Sequence, residues 1–165
     1  MRKNVLRTSI AAIGVAVLVG GCAHYHHRRA PDAAFPQVVL AANGSLVVNQ
    51  EPVVILRKPG QTAVVTWQVS EQSGVRFNAG NGIEFTALLK VPSKVKGQPP
   101  IKLEQPRSVD SNLFGCTTQK DGLEVVCKIS PEVPPGLYSY TVNATREGKP
   151  LVLDPTGWIE ETQGP

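Results

Sequence analysis

From Gln37 onward, apolar and polar residues alternate in short runs, and turn-forming residues separate the runs. A period of two puts one face of a strand in a core and the other in water. Residues 63–69 show it plainly: Val65, Trp67 and Val69 point one way, Val64, Thr66 and Gln68 the other. Trp67 is the largest side chain on the face read as buried. Residues 137–146 alternate again, with Tyr138, Tyr140, Val142 and Ala144 opposite Ser139, Thr141, Asn143 and Thr145. Shorter β-prone runs fall at residues 37–41, 46–49, 53–56, 75–78, 83–89, 113–118, 123–129 and 150–153, and a last one includes Trp158 and Ile159. Asn-Gly, Pro-Gly and Asp-Gly pairs supply turns between them. Asn81-Gly82 between two apolar runs predicts a hairpin joining residues 75–78 to 83–89. A phosphate-cradling glycine loop would need a helix next, and a β-prone run follows instead. About eight to ten short strands with regular turns predict an all-β sandwich or barrel.

Residues 90–106 break the pattern. Lys90, Lys94, Lys96 and Lys102 stand there against Glu104 alone, among Pro92, Pro99, Pro100 and Pro106. Proline removes ladder donors, so the stretch reads as loop or edge, with a short strand at residues 101–104. Two roles fit: a solvated, lysine-protected edge, or a loop with a functional contact. In the second role the four lysines are the candidate partner contact.

The pair Asp121-Gly122 sets a register. As the central pair of a two-residue loop it places Lys120 opposite Leu123, Thr118 opposite Val125, Cys116 opposite Cys127 and Phe114 opposite Ile129. The cysteines then face each other at a hydrogen-bonded position, with Cα atoms about 5.5 Å apart. A bulge or a longer loop would move them to the neighbouring kind of position. Phe114, Val125, Cys127 and Ile129 fall on the buried face, and Glu124 and Lys128 point outward. A structural disulfide is expected, since no Cys-x-x-Cys spacing or nearby histidine activates either thiol.

The amino terminus has a different character. Arg2, Lys3 and Arg7 precede an apolar run at residues 10–19, and small residues follow. That order is an export signal, and the run is short of the about 20 residues a membrane-spanning helix needs. Val19-Gly20-Gly21-Cys22 resembles the lipobox of bacterial lipoprotein precursors. The resemblance implies removal of residues 1–21 and acylation of Cys22, which anchors the mature chain in a bacterial envelope membrane. Ala23 resembles the outer-membrane sorting class, because the inner-membrane retention signal is usually Asp at that position. An oxidising compartment then favours a bridge between Cys116 and Cys127, the two cysteines left over.

Residues 22–36 read as the lipidated cysteine and a flexible arm, 37–161 as the sandwich and 162–165 as a tail. The arm holds all three histidines, His24, His26 and His27. They could bind zinc or copper, but a closed metal site needs ligands held by a fold, so the arm reads as a polar spacer beside lipid headgroups.

Charge excludes one class of partner. The formal net charge is +4, from 17 basic and 13 acidic residues, but three of the basic ones lie in the signal. Without the signal and arm the count is 12 against 12. A neutral domain gives no electrostatic footprint for nucleic acid.

Pro134-Pro135-Gly136-Leu137-Tyr138-Ser139-Tyr140-Thr141-Val142 resembles the late strand of immunoglobulin-like and cupredoxin-like sandwiches, and Trp67 resembles their core tryptophan. The resemblance implies a single immunoglobulin-like or cupredoxin-like β-sandwich. Cys116 and Cys127 are too close in sequence for the usual sheet-to-sheet bridge. Copper ligands are missing too, since no histidine follows His27 and no methionine follows Met1. No metal or cofactor is therefore expected.

A domain without histidine offers no Ser-His-Asp or Cys-His mechanism. Glu84 is the least ordinary carboxylate, and beside Phe85 it reads as a cross-strand surface group. Asp110-Ser111-Asn112 is too sparse for calcium. The sequence thus points to a non-catalytic, membrane-anchored envelope lipoprotein that binds a protein or cell-wall polymer. The alternative is an inhibitor or immunity protein that plugs an envelope hydrolase with the basic loop; an enzyme is the least favoured reading.

Overall fold

The computed structural model describes residues 34–162. The signal, Cys22 and the histidine arm lie outside the described residues. The strands are β1 (Gln37–Leu40), β2 (Leu46–Val48), β3 (Val53–Arg57), β4 (Ala63–Val69), β5 (Val75–Phe77), β6 (Ile83–Val91), β7 (Ile101–Ser108), β8 (Phe114–Gln119), β9 (Glu124–Ile129), β10 (Gly136–Arg146), β11 (Lys149–Leu153) and β12 (Thr156–Glu161). They form two sheets, packed face to face as a β-sandwich. The first runs β2-β1-β4-β9-β8 and the second β3-β12-β10-β6-β7, with β5 and β11 also against β10. Most pairs are antiparallel; β1 with β4 and β3 with β12 are parallel.

The alternation seen in the sequence decides which side chains meet. Val65, Trp67 and Val69 of β4 are buried, as are Tyr138, Tyr140, Val142 and Ala144 of β10. Trp67 and Phe114 from the first sheet interleave with Phe85, Tyr138 and Tyr140 from the second. Trp67 lies edge-on to Tyr140 with ring centroids 5.3 Å apart, and Phe85 stacks on Phe114 at 4.3 Å. The buried indole N–H of Trp67 donates to the Tyr140 hydroxyl at 3.2 Å. The Tyr138 hydroxyl donates to the Pro134 carbonyl at 2.6 Å. That tie back to the preceding corner is the one found in immunoglobulin-type sandwiches.

The expected Asn81-Gly82 hairpin does not form. β5 and β6 lie on the same side of β10 and both run antiparallel to it, so the chain keeps its direction across residues 78–82. Asn143 of β10 is the reason. Its carbonyl accepts from the Asn78 N–H at 3.0 Å, and its own N–H donates to Gly82 at 2.9 Å. Its side-chain amide donates to the Asn81 carbonyl at 2.8 Å and to Glu84 at 3.0 Å. One long strand thus pins both ends of a local excursion, and tertiary pairing overrides the turn propensity. Gly82 is needed for space: a Cβ there would come within 2.8 Å of Val125 Cγ2.

Arg57, at the end of β3, carries a buried guanidinium that sequence patterning did not single out. It donates to the carbonyls of Ser130 and Val133 and to Glu161 Oε1 at 2.8 Å. One side chain thereby ties β3, β12 and the chain leaving β9. The registers gather the carboxyl ends of β3, β6, β9 and β12 at one end of the sandwich, with the amino ends of β4, β7, β8 and β10. Ala34 lies midway along β4, its carbonyl accepting from the Thr66 N–H at 2.9 Å, and β1 begins beside the carboxyl end of β4, with Gln37 opposite Gln68.

Arg57→Ala strands the buried Val133 carbonyl, while the Ser130 carbonyl keeps the Val133 N–H, and is expected to cost about 1–3 kcal/mol in chemical denaturation; a loss under about 0.5 kcal/mol would make the arginine a bystander. Alkaline stability reports on the tyrosines. Burial pushes the Tyr138 phenol up to about 12, with Arg57 pulling the other way; burial pushes Tyr140 up as well, against the Trp67 hydrogen bond. An unfolded tyrosine ionises near about 10, so only the unfolded chain loses these protons at first. Stability is therefore full below about pH 10 and falls as pH rises toward the folded value. Unfolding titrations of the wild type and Tyr138→Phe should separate above that point, with the variant falling less steeply; parallel curves would refute the assignment.

Candidate interaction surface

The hairpin of β6 and β7 carries the four candidate lysines. Lys90 and Lys102 are direct cross-strand partners, and Lys94 and Lys96 lie in the loop between the strands. The four therefore share one hairpin end. Lys94, Lys96 and Lys102 are exposed and Lys90 is half-buried. Like charges directly opposite repel, so this pair adds local positive potential at a small cost in stability. The loop turns on two contacts: Val95 N–H to Ser93 Oγ at 3.1 Å, and Gln98 N–H to the Val95 carbonyl at 3.2 Å.

β7 is longer than the expected strand at residues 101–104, extending through Pro106 to Ser108. Proline is tolerated because β7 is an edge strand, paired only with β6 among the described residues, where a missing N–H costs no ladder bond. Exposed Lys102, Pro106 and Arg107 blunt that edge.

β7 covers β6 only from Ala87 to Val91. Beyond it, the edge of β6 at Ile83–Thr86 has no strand beside it among the described residues, and neither has the outer edge of β8. A groove of about 420 Å³ lies between them. Phe85, Phe114 and Val125 form its apolar floor; Glu84, Thr86, Ser111 and Thr118 are its polar members. Glu84 is exposed and accepts from Asn143 and Asn81, so it is held as the expected surface group. Thr118 Oγ1 donates to the Asn78 carbonyl at 2.7 Å. Nothing in the groove pairs a nucleophile with a base. Among the described residues no group of three or more His, Cys, Asp or Glu is placed to hold a metal ion. Asp110 caps its own turn, accepting from the Asn112 N–H at 2.9 Å. The groove was not visible in sequence, because it exists only where the edges of two sheets approach.

Cys116 and Cys127 are bridged, with Sγ atoms 2.01 Å apart. All of β8 and β9 hold the register expected from Asp121-Gly122, from Phe114 opposite Ile129 to Gln119 opposite Glu124. The position type differs. The cysteine Cα atoms are 3.9 Å apart, nearer the close spacing of a non-hydrogen-bonded pair than the expected wider one. The loop explains it. Asp121 and Gly122 are central, with φ of 53° and 84°, but Lys120 is also left-handed at 50°. The Leu123 carbonyl accepts from Val69 in β4. The loop therefore spans Lys120 to Leu123, and the alternation of bonded positions moves by one. Phe114, Val125, Cys127 and Ile129 are buried and Lys128 is exposed, as expected.

No family model and no curated protein matches this chain. Replacing both cysteines by alanine should cost about 3 kcal/mol by restoring entropy to the unfolded chain and leave the sandwich folded. Denaturation of both proteins without reductant checks this; equal midpoints would mean that the hairpin register alone holds the strands.

Proposed function

We propose that the chain is a lipid-anchored lipoprotein of the bacterial envelope and acts as a non-catalytic binding module. The observation that carries this reading is the Cys116–Cys127 bridge. A structural disulfide belongs to an oxidising compartment, and the export signal ending in Val19-Gly20-Gly21-Cys22 supplies the route there. Acylation at Cys22 would hold the mature chain on the membrane, and Ala23 supports the outer membrane, facing the periplasm. The sandwich then serves as a rigid body that presents loops and edges to an envelope protein or a cell-wall polymer. The groove between β6 and β8 supports a binding role, since unpaired strand edges over an apolar floor accept extended chains.

A second reading keeps the address and changes the task. An exposed loop with Lys94 and Lys96 at its turn would fit an acidic cleft, so the domain could block an envelope hydrolase. Capture of one stoichiometric hydrolase from envelope extracts would select this reading; a cell-wall fragment or a multi-protein complex would select the first.

The anchor is tested by metabolic labelling with palmitate. The wild type should incorporate label and sediment with membranes, and Cys22→Ser should do neither. Undiminished labelling of Cys22→Ser would end the proposal.

A further inference from the structure

The first described residue lies midway along the sandwich, and the basic hairpin projects from one end of it. Ala34 pairs beside Thr66, in the middle of β4, and β1 then runs parallel to β4. β4 starts at Ala63, directly after the Lys58–Gln61 turn that leaves the carboxyl end of β3. β3, β12, β10, β6 and β7 are in continuous register across the second sheet, through the row Val54, Trp158, Leu137, Lys90 and Lys102. The β6–β7 loop therefore projects from the end at which β4 begins. The segment from Cys22 to Ala34 spans at most about 40 Å when fully extended. A lipid at Cys22 would hold the domain within that distance of the bilayer, close enough for the hairpin to reach it.

The chemistry of the loop suits a bilayer surface. No acidic residue occurs between Glu84 and Glu104. Lys94 and Lys96 flank Val95, and Lys102 follows Ile101. These two aliphatic side chains are 59% and 52% exposed. Exposed aliphatics interleaved with lysines match the interfacial zone, where apolar groups enter the headgroup boundary and ammonium groups meet phosphates. The carboxylates nearby oppose this only in part. Glu161 is paired with Arg57 at 2.8 Å, and the exposed Glu104, two residues from Lys102 on β7, Glu132 and Glu160 remain. An acidic protein surface would satisfy the lysines but would not use Val95 and Ile101 in the same way.

We propose that the β6–β7 hairpin is a second membrane contact, through which Lys94, Val95 and Lys96 dock on an anionic lipid surface and fix the orientation of the tethered domain. The proposal rests on the lipid-anchored reading above. It leaves the groove between β6 and β8 free for a partner.

The test uses the full chain on two kinds of vesicle: phosphatidylcholine alone, and equal parts of phosphatidylcholine and phosphatidylglycerol. Flotation with the neutral vesicles reads the anchor by itself. Acetylation of exposed lysines, read by mass spectrometry, reports on the loop. Lys149, exposed at the opposite end, serves as the internal reference. On anionic vesicles, labelling of Lys94 and Lys96 relative to Lys149 should fall about fivefold, the worth of one lysine near such a surface. High salt should restore it by screening, and neutral vesicles should not produce it. Flotation on both vesicles with equal labelling ratios would overturn the contact and leave the anchor standing. Salt-sensitive flotation on anionic vesicles alone, with Lys94 and Lys96 protected, would support the contact and overturn the anchor. Failure to float on either would overturn both. Protection by soluble polyglutamate, with none on vesicles, would assign the loop to an acidic protein and end the proposal.

Discussion

The meeting of Trp67 and Tyr140 between the sheets is the contact on which the rest of the structure depends. Trp67 is fully buried, and its N–H would be costly there without a partner. The Tyr140 hydroxyl supplies that partner from the opposite sheet. Each residue sits near the middle of its strand, so together they set which faces of β4 and β10 turn inward. Phe85, Phe114 and Tyr138 then pack around the pair, and edge-to-face contacts of this kind add about 0.5–1.5 kcal/mol each beyond their burial.

The sandwich is also tied away from that centre. At one end Arg57 reaches from β3 to the chain leaving β9, replacing lost water with carbonyls and a carboxylate. At the flank the bridge of Cys116 to Cys127 holds β8, an edge strand, on β9. These ties leave two features free of structural duty: the groove beside β8, and the basic hairpin of β6 and β7.

Much of this fold was legible from periodicity. β4 and β10 are read correctly because each has one buried face, and the register of β8 and β9 follows from Asp121-Gly122. The errors have a common cause. Asn81-Gly82 carries a hairpin signal, but Asn143, distant in sequence, determines what those residues do. The cysteines occupy the closer kind of pair because the Leu123 carbonyl accepts from Val69 of β4, and only its N–H bonds across the turn to Lys120. Arg57 escaped notice because a lone arginine at the end of an apolar run looks like a solvated terminus. The lysines at 90–102 were visible as a charge excess, but their gathering on one hairpin end depends on the pairing of β6 with β7. Local pattern thus identified elements and faces; the meeting of distant strands decided the groove and the buried guanidinium.

The most direct measurement of the account is the intact mass of the protein purified from bacterial membranes, taken with and without reduction. A tethered, disulfide-bearing sandwich predicts a chain beginning at Cys22, heavier by its acyl groups, that gains the mass of two hydrogens on reduction. An unacylated chain that still begins at Met1, or one whose mass does not change on reduction, would contradict it.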